Sequence, residues 1–189
     1  MQAGVDYLAR RGIPAVAPFN FVLHELLHYR VGDFSEALTL IADEKTRRHV
    51  AEHLDQDFHG GFFETSLVLH YRPDTVAPSH RTLPPCPPVA PHRVFLWLSR
   101  AAARLGRLIL AAEFKFAAYG IGWLRLRPLP GYTGWPALAD ARAGAAFAEV
   151  IMSRYVDGVE AVFAGSKPPP QPIMKWLRAV SLDGRLQAH

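Results

Sequence analysis

Between Ala77 and His92 the chain reads APSHRTLPPCPPVAPH, six prolines in sixteen residues. Proline donates no backbone hydrogen bond and fixes its own φ, so neither a helix nor an interior strand can run through this stretch. Regular structure has to be sought on either side of it.

On the N-terminal side, residues 3–11 read as the end of a helix: Val5, Leu8 and Ala9 share one face and Gly12 stands where a C-terminal stop belongs. IPAVAPFNF follows, a short apolar run of the kind that fills a buried parallel strand. Residues 35–54 open on Ser35 as a cap and place Leu38, Ile41 and Val50 inward on a helix. A loop with Gly60-Gly61 leads to a helical stretch from about Phe63 to Tyr71, stopped before Pro73. Helix, buried strand, helix is the grammar of an α/β layered domain.

Beyond the prolines, residues 93–116 predict a basic amphipathic helix. Phe95, Leu98, Leu105, Ile109, Ala112 and Phe116 form an apolar stripe opposite Arg93, Arg100, Arg104, Arg107 and Lys115. Such a helix either covers the core or a partner subunit, or lies on an anionic membrane surface. The Gly/Pro loop GYTGWP then introduces a long amphipathic helix over about Leu138–Phe163, and SKPPPQPIMKWLRAV onward reads as a loose extension. No internal repeat is present.

The 189 residues suit one domain, half of them hydrophobic and a fifth charged, which excludes a disordered chain. A lone Cys86 excludes an internal disulfide and a multi-cysteine zinc site, which makes a reducing cytoplasm the expectation. The first residues lack the apolar core of a signal peptide, and no run of about 18 apolar residues could span a bilayer.

Two histidine patterns compete for attention. His24-Glu25-Leu26-Leu27-His28 is H-E-x-x-H, in which His24 and His28 would share a zinc ion on one helical face and Glu25 would act as base. The longer metzincin pattern is not met, because Val31 and Ser35 occupy its glycine and third-histidine places; Glu44 or Glu52 would have to serve as a distal ligand. His49-Val50-Ala51-Glu52-His53 is the inverted motif, H-x-x-E-H. A chain with nine histidines produces such patterns easily. The expectation is that HELLH is a scaffold helix, with zinc proteolysis the alternative.

DFHGGFFETS, residues 57–66, is denser. Asp57 lies two residues before His59; Gly60 and Gly61 allow close backbone approach; Glu64 opens a helix near the positive end of its dipole. A histidine held beside carboxylates suits general acid/base work. The same residues could equally be a capped turn.

DFHGGFFETSLVLHYRPDTV resembles the D-x-H-A-G-x-x-E-T-S-x-x-L-x-x-x-P-x-x-V signature of the creatininase family. Asp57, His59, Gly61, Glu64, Thr65, Ser66, Leu69, Pro73 and Val76 match in order, with Gly60 in place of the alanine. LARRGIPAVAPFN is similar to the family's preceding helix-to-strand step, and GYTGWPALADARAGAAFAEVI to its C-terminal G-x-x-G-x-P helix entry. The resemblance covers about residues 3–165, interrupted by an insertion at about 79–127. It therefore implies one domain over 1–165 and an extension over 166–189.

The resemblance implies a three-layer α/β/α fold with a mostly parallel sheet. It implies an amidohydrolase splitting the C–N bond of a small cyclic amide or formamide, with one or two divalent ions (zinc, manganese or iron) activating water. His59 would pass a proton to the leaving nitrogen, Glu64 would support it, and Asp57, Gly60 and Gly61 would shape the loop. A homo-oligomer acting on a small molecule, without nucleic acid, is the expected assembly. The family's metal ligands sit in E-x-H-G-x-H and H-G-G-N segments that this sequence lacks and that would precede Met1. The expected fold is thus N-terminally incomplete, and activity of these residues alone an open expectation, with a non-catalytic remnant or assembly module the alternative beside zinc proteolysis.

Overall fold

A computed structural model describes residues 2–177, apart from the side chains of Glu25 and His28. The α-helices are α1 (Gln2–Ala9), α2 (Pro18–His28), α3 (Ser35–Thr39), α4 (Glu44–His53), α5 (Phe62–Tyr71), α6 (Arg93–Arg104), α7 (Leu108–Leu124) and α8 (Ala141–Phe163). Short 3₁₀ turns and extended loops join them.

The expected parallel sheet is corrected here: there is no strand among the described residues. In the proposed strand residues 13–17 form no regular element, and only Ala17, at φ −101° and ψ 106°, is seen in the extended region. Pro14 withholds its N–H, Pro18 starts α2, and no strand among the described residues is there to complete a ladder. Phe19-Asn20-Phe21 instead continues into helix, and Phe21 packs edge-on against Tyr155 of α8, ring centroids 5.8 Å apart. The layers are helix on helix.

The expected helix over 35–54 is two helices. Thr39 Oγ1 donates to the Glu36 carbonyl at 2.6 Å, and Asp43 starts α4 afresh by accepting from Thr46 N at 2.7 Å. Asp43, rather than Ser35, is the side-chain cap.

One core gathers α3, α4, α5 and α8 around Phe147, which is fully buried. Phe63, Phe34 and Phe62 meet its ring at centroid distances of 4.7, 5.1 and 5.5 Å, all steeply inclined. The backbones of α5 and α8 approach so closely that a Cβ on Gly144 would strike the Ser66 carbonyl.

The basic stretch is also broken. Gly106 takes φ +70°, its N–H bonds Ala103 O at 3.0 Å and that of Arg107 bonds Ala102 O at 3.0 Å. This is a glycine C-cap in which only the residue without a Cβ is unstrained. The result is a hairpin of α6 and α7, and Leu105 and Ile109 lie exposed at its turn instead of continuing an inward stripe. The hairpin closes on small residues: Ala102, Ala111 and Ala118 are buried, and Ser99 Oγ donates to Ala111 O at 2.8 Å. Trp176 seats against Phe95 and Phe114 and donates to Glu113 at 2.9 Å.

The proline segment has the irregular course its composition dictates, with a 3₁₀ turn at Pro78–Thr82. It is anchored by few donors: Cys86 N bonds Gly134 O at 2.7 Å, and Tyr132 Oη donates to Pro84 O at 2.9 Å. Both anchors lie on the loop that carries the site.

Candidate active site

Residues 57–61 connect the α4 region to α5, and Asp57 is the pivot. Its Oδ2 accepts from Phe62 N at 2.8 Å and Phe63 N at 3.3 Å, the unsatisfied amides of the α5 N-terminus, where the helix dipole favours an anion. Yet Asp57 is only 6% exposed, and its Oδ1 has no hydrogen-bond partner. Burial therefore pushes the carboxyl up to about 7, against the two N–H bonds that lower it and with the nearby Glu64 raising it further. Gly61 and Gly134 press on this carboxylate from two sides; a Cβ on either would collide with it.

The second wall is the loop at 131–134. Thr133, 1% exposed, accepts on Oγ1 from Phe58 N and His59 N, both at 2.9 Å, and its own N donates to His59 O at 2.6 Å. The backbone bearing His59 is thus fixed by one buried threonine.

The imidazole itself is more than half exposed. Its Nδ1 lies 3.7 Å from Glu64 Oε2, and its ring leans on Trp123 with centroids 5.4 Å apart. Glu64 Oε2 also accepts from Gly60 N at 2.5 Å, so the carboxylate is held by the backbone of the loop it faces and that N–H is not available to a substrate oxyanion. Thr65 Oγ1 donates to Gly60 O at 3.1 Å, and Ser66 Oγ accepts from Asp140 N at 3.1 Å, tying α5 to the start of α8. Asp57, His59, Gly60, Gly61 and Glu64 therefore converge on one loop.

Asp57 and Glu64 line a cavity of about 570 Å³ whose other walls include Tyr29, Phe58, Phe63 and Phe116. A smaller one of about 300 Å³ lies between Asp57, His49, His53 and the prolines around Cys86. Burial, helped by the Asp57 charge, raises the Cys86 thiol, which favours the neutral form.

The other histidines are placed elsewhere. His24 lies on α2 with Nε2 2.6 Å from Gln171 O; a carbonyl only accepts, so that nitrogen carries the proton and offers no lone pair to an ion. The side chains of its motif partners, Glu25 and His28, lie outside the described residues. His49 and His53 stack at 4.4 Å on α4, and His53 Nδ1 donates to His49 O at 2.8 Å. Glu44 pairs with Arg48 on the exposed face of α4, and Glu52 lines the larger cavity.

Sequence reading passed over Thr133 and Trp123. Thr133 stands inside the G-x-x-G-x-P loop, where attention falls on the glycines; a lone β-branched residue between two tight-turn glycines was the available signal. Trp123 falls in the stretch set aside as an insertion.

The creatininase family model, described as creatinine amidohydrolase, matches residues 8–159, four-fifths of the chain and both loops of the site. The chain belongs to the creatininase family. No curated protein and no solved structure matches it. Membership makes amidohydrolase chemistry the family frame, and family members are generally metal-dependent. Among the described residues, no three His, Cys, Asp or Glu side chains come together to hold an ion, so those residues do not fit a metal. No helix among them is long and apolar enough to cross a membrane.

Proposed function

We propose that this creatininase-family chain serves hydrolysis of the C–N bond of a small cyclic amide or formamide, with His59 as the proton donor to the leaving nitrogen. The observation that carries it is the His59–Glu64 pair at 3.7 Å on a loop clamped by Thr133 and Asp57. Breaking an amide C–N bond expels a strongly basic nitrogen, so the barrier falls when a proton arrives as the bond breaks. Water adds to the carbonyl carbon and gives up a proton to the His59 imidazole, the C–N bond breaks, and the imidazolium hands that proton to the departing nitrogen, so that His59 ends the cycle as it began. Glu64, 3.7 Å from Nδ1, orients the imidazole, and Thr133 spares His59 any search through backbone conformations. The apolar walls of the 570 Å³ cavity beside Glu64 favour a small, poorly hydrated substrate.

The test is amine release from a panel of cyclic amides and N-formyl amines, comparing wild type with His59→Gln and Glu64→Gln. His59→Gln is expected to lower kcat by roughly 10²–10⁴-fold, the usual worth of a positioned acid/base. A wild type inert across the panel, or a His59→Gln variant at the wild-type rate, overturns the reading.

A further inference from the structure

Charge is distributed very unevenly along this chain. Between Asp74 and Asp140 there are eight Arg and Lys residues and one acid, Glu113; subtracting these from the totals of 21 and 17 leaves 13 basic against 16 acidic residues elsewhere. Glu113 is buried beneath Trp176 and offsets nothing at the surface. Five of the eight basic residues, Arg93, Arg100, Arg104, Arg107 and Lys115, lie on the α6–α7 hairpin, which is thus cationic beside a mildly acidic remainder of the chain.

Its geometry adds a second feature. On α6, Arg93, Trp97, Arg100 and Arg104 recur at helical spacing along one exposed face, and Trp97 is 65% exposed. At the turn Leu105 is 75%, Leu108 66% and Ile109 48% exposed, flanking Arg107. The four arginines make no ion pair among the described residues, whereas Lys115, nearer the body, pairs with Asp55.

We propose that the α6–α7 hairpin docks peripherally on an anionic lipid bilayer, Leu105, Leu108 and Ile109 entering the headgroup–acyl boundary while Arg93, Arg100, Arg104 and Arg107 face lipid phosphates. Arginine stems lie along apolar surface with the guanidinium in the headgroup layer, and an amphipathic indole such as Trp97 favours that depth. Apolar side chains at a convex tip add nothing to tracking a nucleic-acid backbone. They are what an interfacial anchor needs beside its charges. The proposal is independent of the hydrolytic reading: the tip lies on the hairpin and His59 on the loop opposite Trp123.

The test is cosedimentation of the full chain with vesicles of phosphatidylcholine alone and of phosphatidylcholine with phosphatidylglycerol in roughly a two-to-one ratio. Partitioning onto the anionic vesicles is expected to be at least roughly tenfold the stronger and to weaken with salt. Arg100→Glu/Arg104→Glu/Arg107→Glu should abolish it. Leu105→Ser/Leu108→Ser should lose the part that survives high salt, with circular dichroism unchanged because these side chains are already in water. Trp97 fluorescence should shift to the blue on binding and be quenched by bromolipid. No binding to anionic vesicles, equal binding to both kinds, binding unaffected by either variant, or tighter binding to duplex DNA or an acidic protein than to vesicles overturns the proposal. So does a dimer in solution that buries this face.

Discussion

Two regions of this molecule solve the same helical problem with opposite materials. The body around Phe147 is a nest of large rings, with Phe34, Phe62 and Phe63 all within 5.5 Å of the Phe147 centroid and α5 and α8 in near backbone contact at Ser66 and Gly144. The α6–α7 hairpin closes on alanines and a serine, and leaves Leu105, Leu108 and Trp97 outside. In the first, apolar surface is spent inward on stability; in the second, much of it faces out. The family signature lies in the body, and the hairpin meets the body where Phe58 and His59 face Phe116 and Trp123 and where Lys115 pairs with Asp55. The difference teaches that the motif-bearing loop draws its rigidity from the body, while the hairpin supplies one wall.

If that division holds, substitutions should separate sharply. The largest effect is expected for Phe147→Ala, about 3–5 kcal/mol of lost stability in urea titrations, because a ring at the centre of the nest leaves a cavity that its neighbours cannot fill. A loss below about 1 kcal/mol would dissolve the contrast.

Next comes pH. Asp57 titrates near 7 when folded and near 4 when unfolded, so between those values the folded chain binds the extra proton. Stability should therefore be highest at and below pH 4 with respect to this group, fall as pH rises, and level off above 7. The swing is of the order of 4 kcal/mol at the most. Asp57→Asn should flatten that limb, and an unchanged limb would remove Asp57 as its source.

Gly134→Ala, at φ +63° and against the Asp57 carboxylate, should cost roughly 1–3 kcal/mol. The smallest effect is expected for Leu105→Ser, within about 0.5 kcal/mol of wild type, since its side chain is three-quarters exposed. A large loss there would make the hairpin tip part of the fold.

The site was more legible in the sequence than the architecture. Asp57, His59, Gly60, Gly61 and Glu64 are contiguous, so their convergence needs only one loop and one helix start, both of which local chemistry announces. The sheet was a different kind of inference. IPAVAPFNF has the hydrophobicity of a strand, but whether so short an apolar run becomes strand or helix depends on partners elsewhere. With none alongside, Pro18 opens a helix instead. The 93–116 stretch failed for a related reason: its periodicity is helical throughout, and a single glycine at 106 with a satisfied cap folds it back on itself. The α5 and α8 helices, bounded by the glycine loop and by Asp140 as cap, were readable within a few residues.

The central claim is that His59 delivers a proton to the departing nitrogen, and leaving-group dependence tests it most directly. For a pair of amides alike except in the basicity of the expelled amine, His59→Ala should lose roughly 10²-fold or more on the alkylamine and little on the nitroaniline, which departs without protonation. Equal losses on both substrates would contradict the account.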